Sequence, residues 1–102
     1  MKNKKVSFLD HLESYFNIYL PTVKGLSQAT IASYKATFRI LMEFLYTVKG
    51  VPSDTVEFST LDDKFIIEFL SWLETARSCS VSTRNQRLSA IAAFSIYRTY
   101  VR

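Results

Sequence analysis

Soft metal ligands and cross-linking residues are nearly absent from this sequence. It has one cysteine, Cys79, and one histidine, His11. A single thiol closes no internal disulfide, and no Cys/His cluster exists to build a zinc site. Two glycines and two prolines exclude a low-complexity or collagen-like chain. No apolar run approaches the roughly 18 to 20 residues that cross a bilayer. The opening Met1-Lys2-Asn3-Lys4-Lys5 is basic, but Asp10, His11 and Glu13 interrupt the next segment, so no secretory signal is expected. The expectation is a cytoplasmic chain in a reducing compartment, with no membrane, metal or cofactor partner. His11 beside Asp10 has no third partner for acid–base work and reads as a surface histidine. Cys79 reads as an unremarkable thiol.

What is present is an apolar chain of one domain's length. The 102 residues are 48% hydrophobic and 15% aromatic, enough for one core spanning residues 1–102. Four segments repeat their apolar residues at three- and four-residue steps, the period of an amphipathic helix. The first covers about 8–20, with Phe8, Leu12, Tyr15 and Tyr19 on one face and Pro21 as its stop. The second follows Ser27 as N-cap and runs to about Lys49, ended by Gly50 and Pro52. The third covers about 61–76, with Thr60 and Asp63 as a capping pair. The fourth starts at Ser82 or Thr83 as cap and runs to the chain end, with Leu88, Ile91, Phe94 and Tyr97 as its buried side. The one candidate strand, 55–58, is weak. The fold class expected is therefore all-α, a compact four-helix bundle.

The charge is unevenly placed. Thirteen Lys and Arg against nine Asp and Glu leave +4. Residues 54–76 hold six acids against Lys64 alone, a local net of −5, which leaves +9 elsewhere. From Arg77 onward come five arginines and no acid. Helix three is acidic and helix four basic. An all-arginine helix repels itself unless an anion or an acidic neighbour answers it.

Helix two carries a second signal. At about 100° per residue, Gln28, Ala32, Lys35 and Arg39 fall within roughly 60° of one another beside the apolar face. Long cationic and amide side chains around a small alanine suit a polyanion. Thr30, Ser33 and Thr37 lie on the other flank, with hydroxyls that can donate to phosphates. Each stripe has a bland reading as well: a wet helix face for the first, and arginines paired with acidic helix three for the fourth helix.

The run Leu26-Ser27-Gln28-Ala29-Thr30-Ile31-Ala32-Ser33-Tyr34-Lys35, with Phe38-Arg39, resembles the second helix of the N-terminal SAM-like core-binding domain of tyrosine recombinases, the phage integrase family. Ser82-Thr83-Arg84-Asn85-Gln86-Arg87-Leu88-Ser89-Ala90-Ile91, with Phe94, is similar to its last helix. Phe65 to Leu73 fits the helix between, and Phe8 to Pro21 fits the first. The resemblance implies a SAM-like four-helix arm of a C-shaped clamp on duplex DNA, in a bacterial or phage-encoded recombinase that integrates or recombines DNA. It places the catalytic residues in a separate domain absent from this chain, so no catalytic residue is assigned here. None of the six tyrosines has an Arg/His constellation to activate it.

Carried onto this sequence, the resemblance assigns DNA contacts to Ser27, Gln28, Thr30, Ser33, Lys35 and Arg39 on helix two. On helix four it assigns Ser82, Thr83, Arg84, Asn85 and Arg87, with Ser89 in reserve. Arg84 and Asn85 are the candidates for base edges. Arg87 lies close to Ile91 by helical angle, where an ion pair with helix three is the other outcome. Arg98 is expected to be solvated. The partners implied are double-stranded DNA at a recombination site and other recombinase subunits in a full assembly, the isolated domain being monomeric. The alternative is a helical protein-interaction module that self-associates through its acidic and basic faces.

Overall fold

The amphipathic repeats become four helices in a computed structural model that describes residues 8–99. They are α1 (Phe8–Ser14), α2 (Gln28–Thr47), α3 (Asp63–Thr75) and α4 (Val81–Arg98), and the described residues hold no strand. The weak strand candidate is replaced by single 3-10 turns, Ser53–Thr55 and Phe58–Thr60, which take up its two ends, with Val56 buried between them. The basic N-terminal run lies outside the described residues.

Pro21 does not stop the first helix. Beyond α1 the chain widens into a π-helical stretch, Tyr15–Val23, with Pro21 inside it. The looser winding relieves the clash a proline makes with the preceding turn. Lys24 N–H closes the stretch on the Tyr19 carbonyl at 3.0 Å, and Gly25, at φ +63°, turns the chain into α2. α2 ends in the same manner. Val48 N–H donates to Phe44 O, Val51 N–H to Leu45 O, and Gly50 sits at φ +70°.

The caps differ from expectation at two of three sites. Ser27 caps α2 as expected, accepting from Thr30 N–H at 3.2 Å. At α3 the cap is Asp62, which accepts from Phe65 N–H at 2.9 Å. Thr60 belongs to the preceding turn, where its hydroxyl accepts from Glu57 N–H. At α4 the cap is Ser80, two residues before the expected Ser82. Ser78 adopts φ +54° and Cys79 N–H donates to Leu73 O, so the chain has already reversed before Ser80.

Two aromatic centres hold the bundle. Phe94 meets Phe8, Tyr15 and Phe38 edge-on at 5.7, 5.0 and 5.2 Å and stacks on Phe58 at 5.5 Å, joining α1, α2 and α4. Phe44 meets Phe65, Phe69 and Trp72 at 5.5, 5.5 and 5.0 Å, joining α2 to α3. Such ring pairs add roughly 0.5 to 1.5 kcal/mol each beyond burial. Leu88 is not part of this core and stands 39% exposed. Steps of three residues drift by about 60° each, so Leu88 and Tyr97 lie about 180° apart on the helix. Only one of the two can be buried, and it is Tyr97.

Candidate nucleic-acid interface

α2 and α4 start with the same device. Ser27 accepts from Thr30 N–H, and its hydroxyl donates to Thr30 Oγ1 at 3.1 Å. Ser80 accepts from Thr83 N–H at 3.1 Å and donates to Thr83 Oγ1 at 3.1 Å. Each threonine hydroxyl thereby receives a hydrogen bond and keeps its own hydrogen to donate. Of the expected contact residues, Ser27, Thr30 and Thr83 are thus parts of caps. Ser82 stands exposed in the first turn of α4. Ser80 was not among the residues expected; the signal for it is the shared Ser-x-x-Thr spacing, Ser27 to Thr30 and Ser80 to Thr83.

The two helices meet along a shallow groove. Ala29, Thr30, Ser33 and Tyr34 of α2 face Gln86 and Ser89 of α4 across it. This brings together Thr30, Ser33 and Ser89 from the expected set and adds Gln86. On its other side α2 borders a second groove, where Gln28, Ala32 and Lys35 face Phe16, Asn17 and Pro21 of the π-helical stretch. The two stripes of α2 therefore open on different grooves, and its exposed face lies between them. Lys35, at the rim of the second groove, and Arg39, four residues on, are both exposed. Lys35 and Arg39, with Lys24 and Lys64, make no ion pair among the described residues.

The arginines of the α4 region are placed otherwise. Arg77 pairs with Glu43 at 3.2 Å and lies over the Trp72 ring. Arg84 pairs with Glu74 of α3 at 3.6 Å and donates to Asn85 Oδ1 at 3.2 Å. Arg98 is exposed, yet its guanidinium covers Phe58 at 4.8 Å, so it is not simply solvated. Arg87 does not reach helix three. It is half-buried and donates through Nη1 to Thr37 Oγ1 at 3.1 Å, and Thr37 in turn donates to the Ser33 carbonyl. The helix-three partner is Arg84, one turn nearer the start of α4. The Nε atoms of Arg84 and Arg87 are buried without an acceptor. Exposed ion pairs of this kind contribute at most about 1 kcal/mol, but they decide where these cations point.

Tyr15 is fully buried, and burial, reinforced by Tyr34, Tyr19 and Tyr97 nearby, pushes its hydroxyl well above the ordinary phenol range. His11 packs its ring on Phe58 at 5.1 Å. Among the described residues, no three His, Cys, Asp or Glu side chains are grouped to hold a metal ion, and no helix is long and apolar enough to cross a membrane.

Comparison with known proteins adds an independent finding. Residues 9–102 match the family described as phage integrase, N-terminal SAM-like domain. Two Sinorhizobium fredii proteins named as integrase/recombinase are similar to the chain. y4rC is 36% identical over 97 residues, 95% of this chain and 29% of its own length. y4rD is 37% identical over 83 residues, 81% of this chain and 30% of its own length. The chain thus spans less than a third of either relative. No solved structure matches it significantly.

Proposed function

The chain belongs to the N-terminal SAM-like domain family of phage integrases, and from that premise we propose that it binds duplex DNA as the core-binding arm of a tyrosine site-specific recombinase. In this reading it forms one side of a clamp on a recombination site, while a separate domain carries the strand-cleaving chemistry and this chain catalyses nothing itself. Its partners are the DNA site and, in a full assembly, other recombinase subunits.

One observation supports the reading most: the exposed face of α2. It holds Lys35 and Arg39 without an ion-pair partner among the described residues; Lys35 also lines the groove beside Gln28, and the groove lined by Thr30, Ser33, Gln86 and Ser89 opens on the opposite flank. Cations beside hydroxyl and amide donors are what a phosphate backbone requires. Lys35 and Arg39 neutralise phosphates; Thr30, Ser33, Gln28 and Ser82 donate to them from either flank. Arg87 supports this face from within by tying α4 to Thr37.

The rival, head-to-tail association of basic α4 with acidic α3, needs free arginines on α4. On α4, Arg84 is paired with Glu74 and Arg87 with Thr37, and Arg77 in the loop before it with Glu43, which weighs against it. Titration of labelled duplex at several salt concentrations tests the proposal. With about four to six phosphates neutralised, log K falls against log salt with a slope of about −4 to −5. Salt-independent binding, or self-association with no duplex bound, contradicts it.

A further inference from the structure

Asn85 is exposed on α4, and its side-chain oxygen accepts from Arg84 Nη2 at 3.2 Å. The same guanidinium holds Glu74 of α3 through Nη1 at 3.6 Å. Three side chains from two helices form a relay, Glu74 to Arg84 to Asn85. The relay turns the amide oxygen toward the guanidinium. With Oδ1 turned toward Arg84, the amide NH2 keeps both hydrogens to donate, and the oxygen keeps one lone pair. Adenine presents an N7 acceptor and an N6–H donor side by side in the major groove, which is the complement of such an amide. Guanine presents two acceptors there, so the amide oxygen finds no donor.

Away from Arg84, the side of α4 next to Asn85 is apolar. Leu88 and Ala92 are exposed and lie within roughly 60° of Asn85 around the helix, while Arg84 lies about 100° away on the flank that meets α3. An apolar contact beside an amide suits the thymine methyl group. We propose that Glu74 and Arg84 are positioning residues that hold the Asn85 amide as a reader of A·T pairs in the major groove. This rests on the DNA-binding reading above and adds a base class and a support for it. Arg84 orients the reader and does not itself read guanine.

Selection by the 102-residue chain from randomised duplexes at low salt tests the inference. One position of the recovered sites is expected to favour A·T by about tenfold. Asn85→Ala flattens that position and leaves the salt slope unchanged. Glu74→Gln discriminates between roles. An acid that merely repels DNA, once neutralised, strengthens binding to all sequences alike and leaves the preference intact. A positioning acid, once neutralised, lowers the preference severalfold without weakening overall binding. Circular dichroism checks that both exposed substitutions leave the helices formed. The inference is overturned if guanine is selected at that position, if Arg84→Ala flattens it while Asn85→Ala does not, or if Glu74→Gln leaves the preference intact. Failure to retain any duplex is a different result: it refutes the DNA-binding reading itself, and this inference with it.

Discussion

Helices α2 and α4 start on the same serine–threonine cap, yet they dispose of their cations in opposite ways. On α2, Lys35 and Arg39 project from the exposed face and make no ion pair among the described residues. On α4 and the loop before it, the described arginines turn inward or sideways, to Glu43, Glu74, Thr37 and the Phe58 ring. By residue count α4 is the basic helix. By geometry α2 is the one that offers positive charge, and α4 offers hydroxyls, amides and small apolar side chains. The number of cations on a helix therefore does not give the field it presents. The neighbours decide: an acidic α3 beside α4 takes up its arginines, while Lys35 and Arg39 on the outer face of α2 meet no acid among the described residues.

Substitutions can break or sharpen this contrast. The largest effect is expected on α2. Replacing Lys35 and Arg39 together with Ala should weaken duplex binding roughly 100-fold, at about 1.5 kcal/mol for each charge-assisted contact, and make the salt slope shallower by about two. Anisotropy titrations at several salt concentrations measure both. An unchanged slope would remove α2 from the interface. Next comes Arg87→Met. Removing the tie leaves Thr37, 1% exposed, with its donor lost. Stability should fall by about 1 to 3 kcal/mol while the salt slope stays the same. Urea unfolding beside the binding titration separates the two roles, and a slope shallower by one would make Arg87 a phosphate ligand. The caps offer a matched pair. Ser27→Ala and Ser80→Ala should each lower stability by about 1 kcal/mol, because each removes one side-chain acceptor at a helix start. Unequal losses would show that the two starts are alike in sequence only. The smallest effect belongs to Arg77→Ala. Its pair with Glu43 is exposed on both sides, so stability should change by less than about 1 kcal/mol and the salt slope not at all.

Much of the fold is legible in the sequence. The apolar period marks the four helices to within a few residues, and Ser27 with Gly25 before it fixes where α2 begins. Where local reading fails, a physical cause is at hand. Pro21 has the look of a helix stop, and the chain passes it by widening. Ser82 has the look of the α4 cap, but the left-handed turn at Ser78 brings Ser80 into place first. Leu88 shares a three-residue spacing with the buried side of α4, and that spacing drifts off the face before the helix ends. At the candidate site, residue types and helices are foreseeable and their pairings are not. Gln86, inside the matching run but outside the expected contacts, enters the groove, and Arg84 takes the ion pair with helix three that was one of two outcomes for Arg87.

By itself the sequence determined which segments are helical, which faces are apolar and where the charge of each sign lies, because those depend on neighbours within about four residues. It also carried the family likeness, since that lies in the order of those segments. Only tertiary packing decided which arginine meets an acid, which meets a hydroxyl and which lysine is left facing out. Those outcomes turn on contacts between residues far apart in the chain, 50 positions apart for Arg87 and Thr37, and no local pattern encodes the angle at which two helices cross.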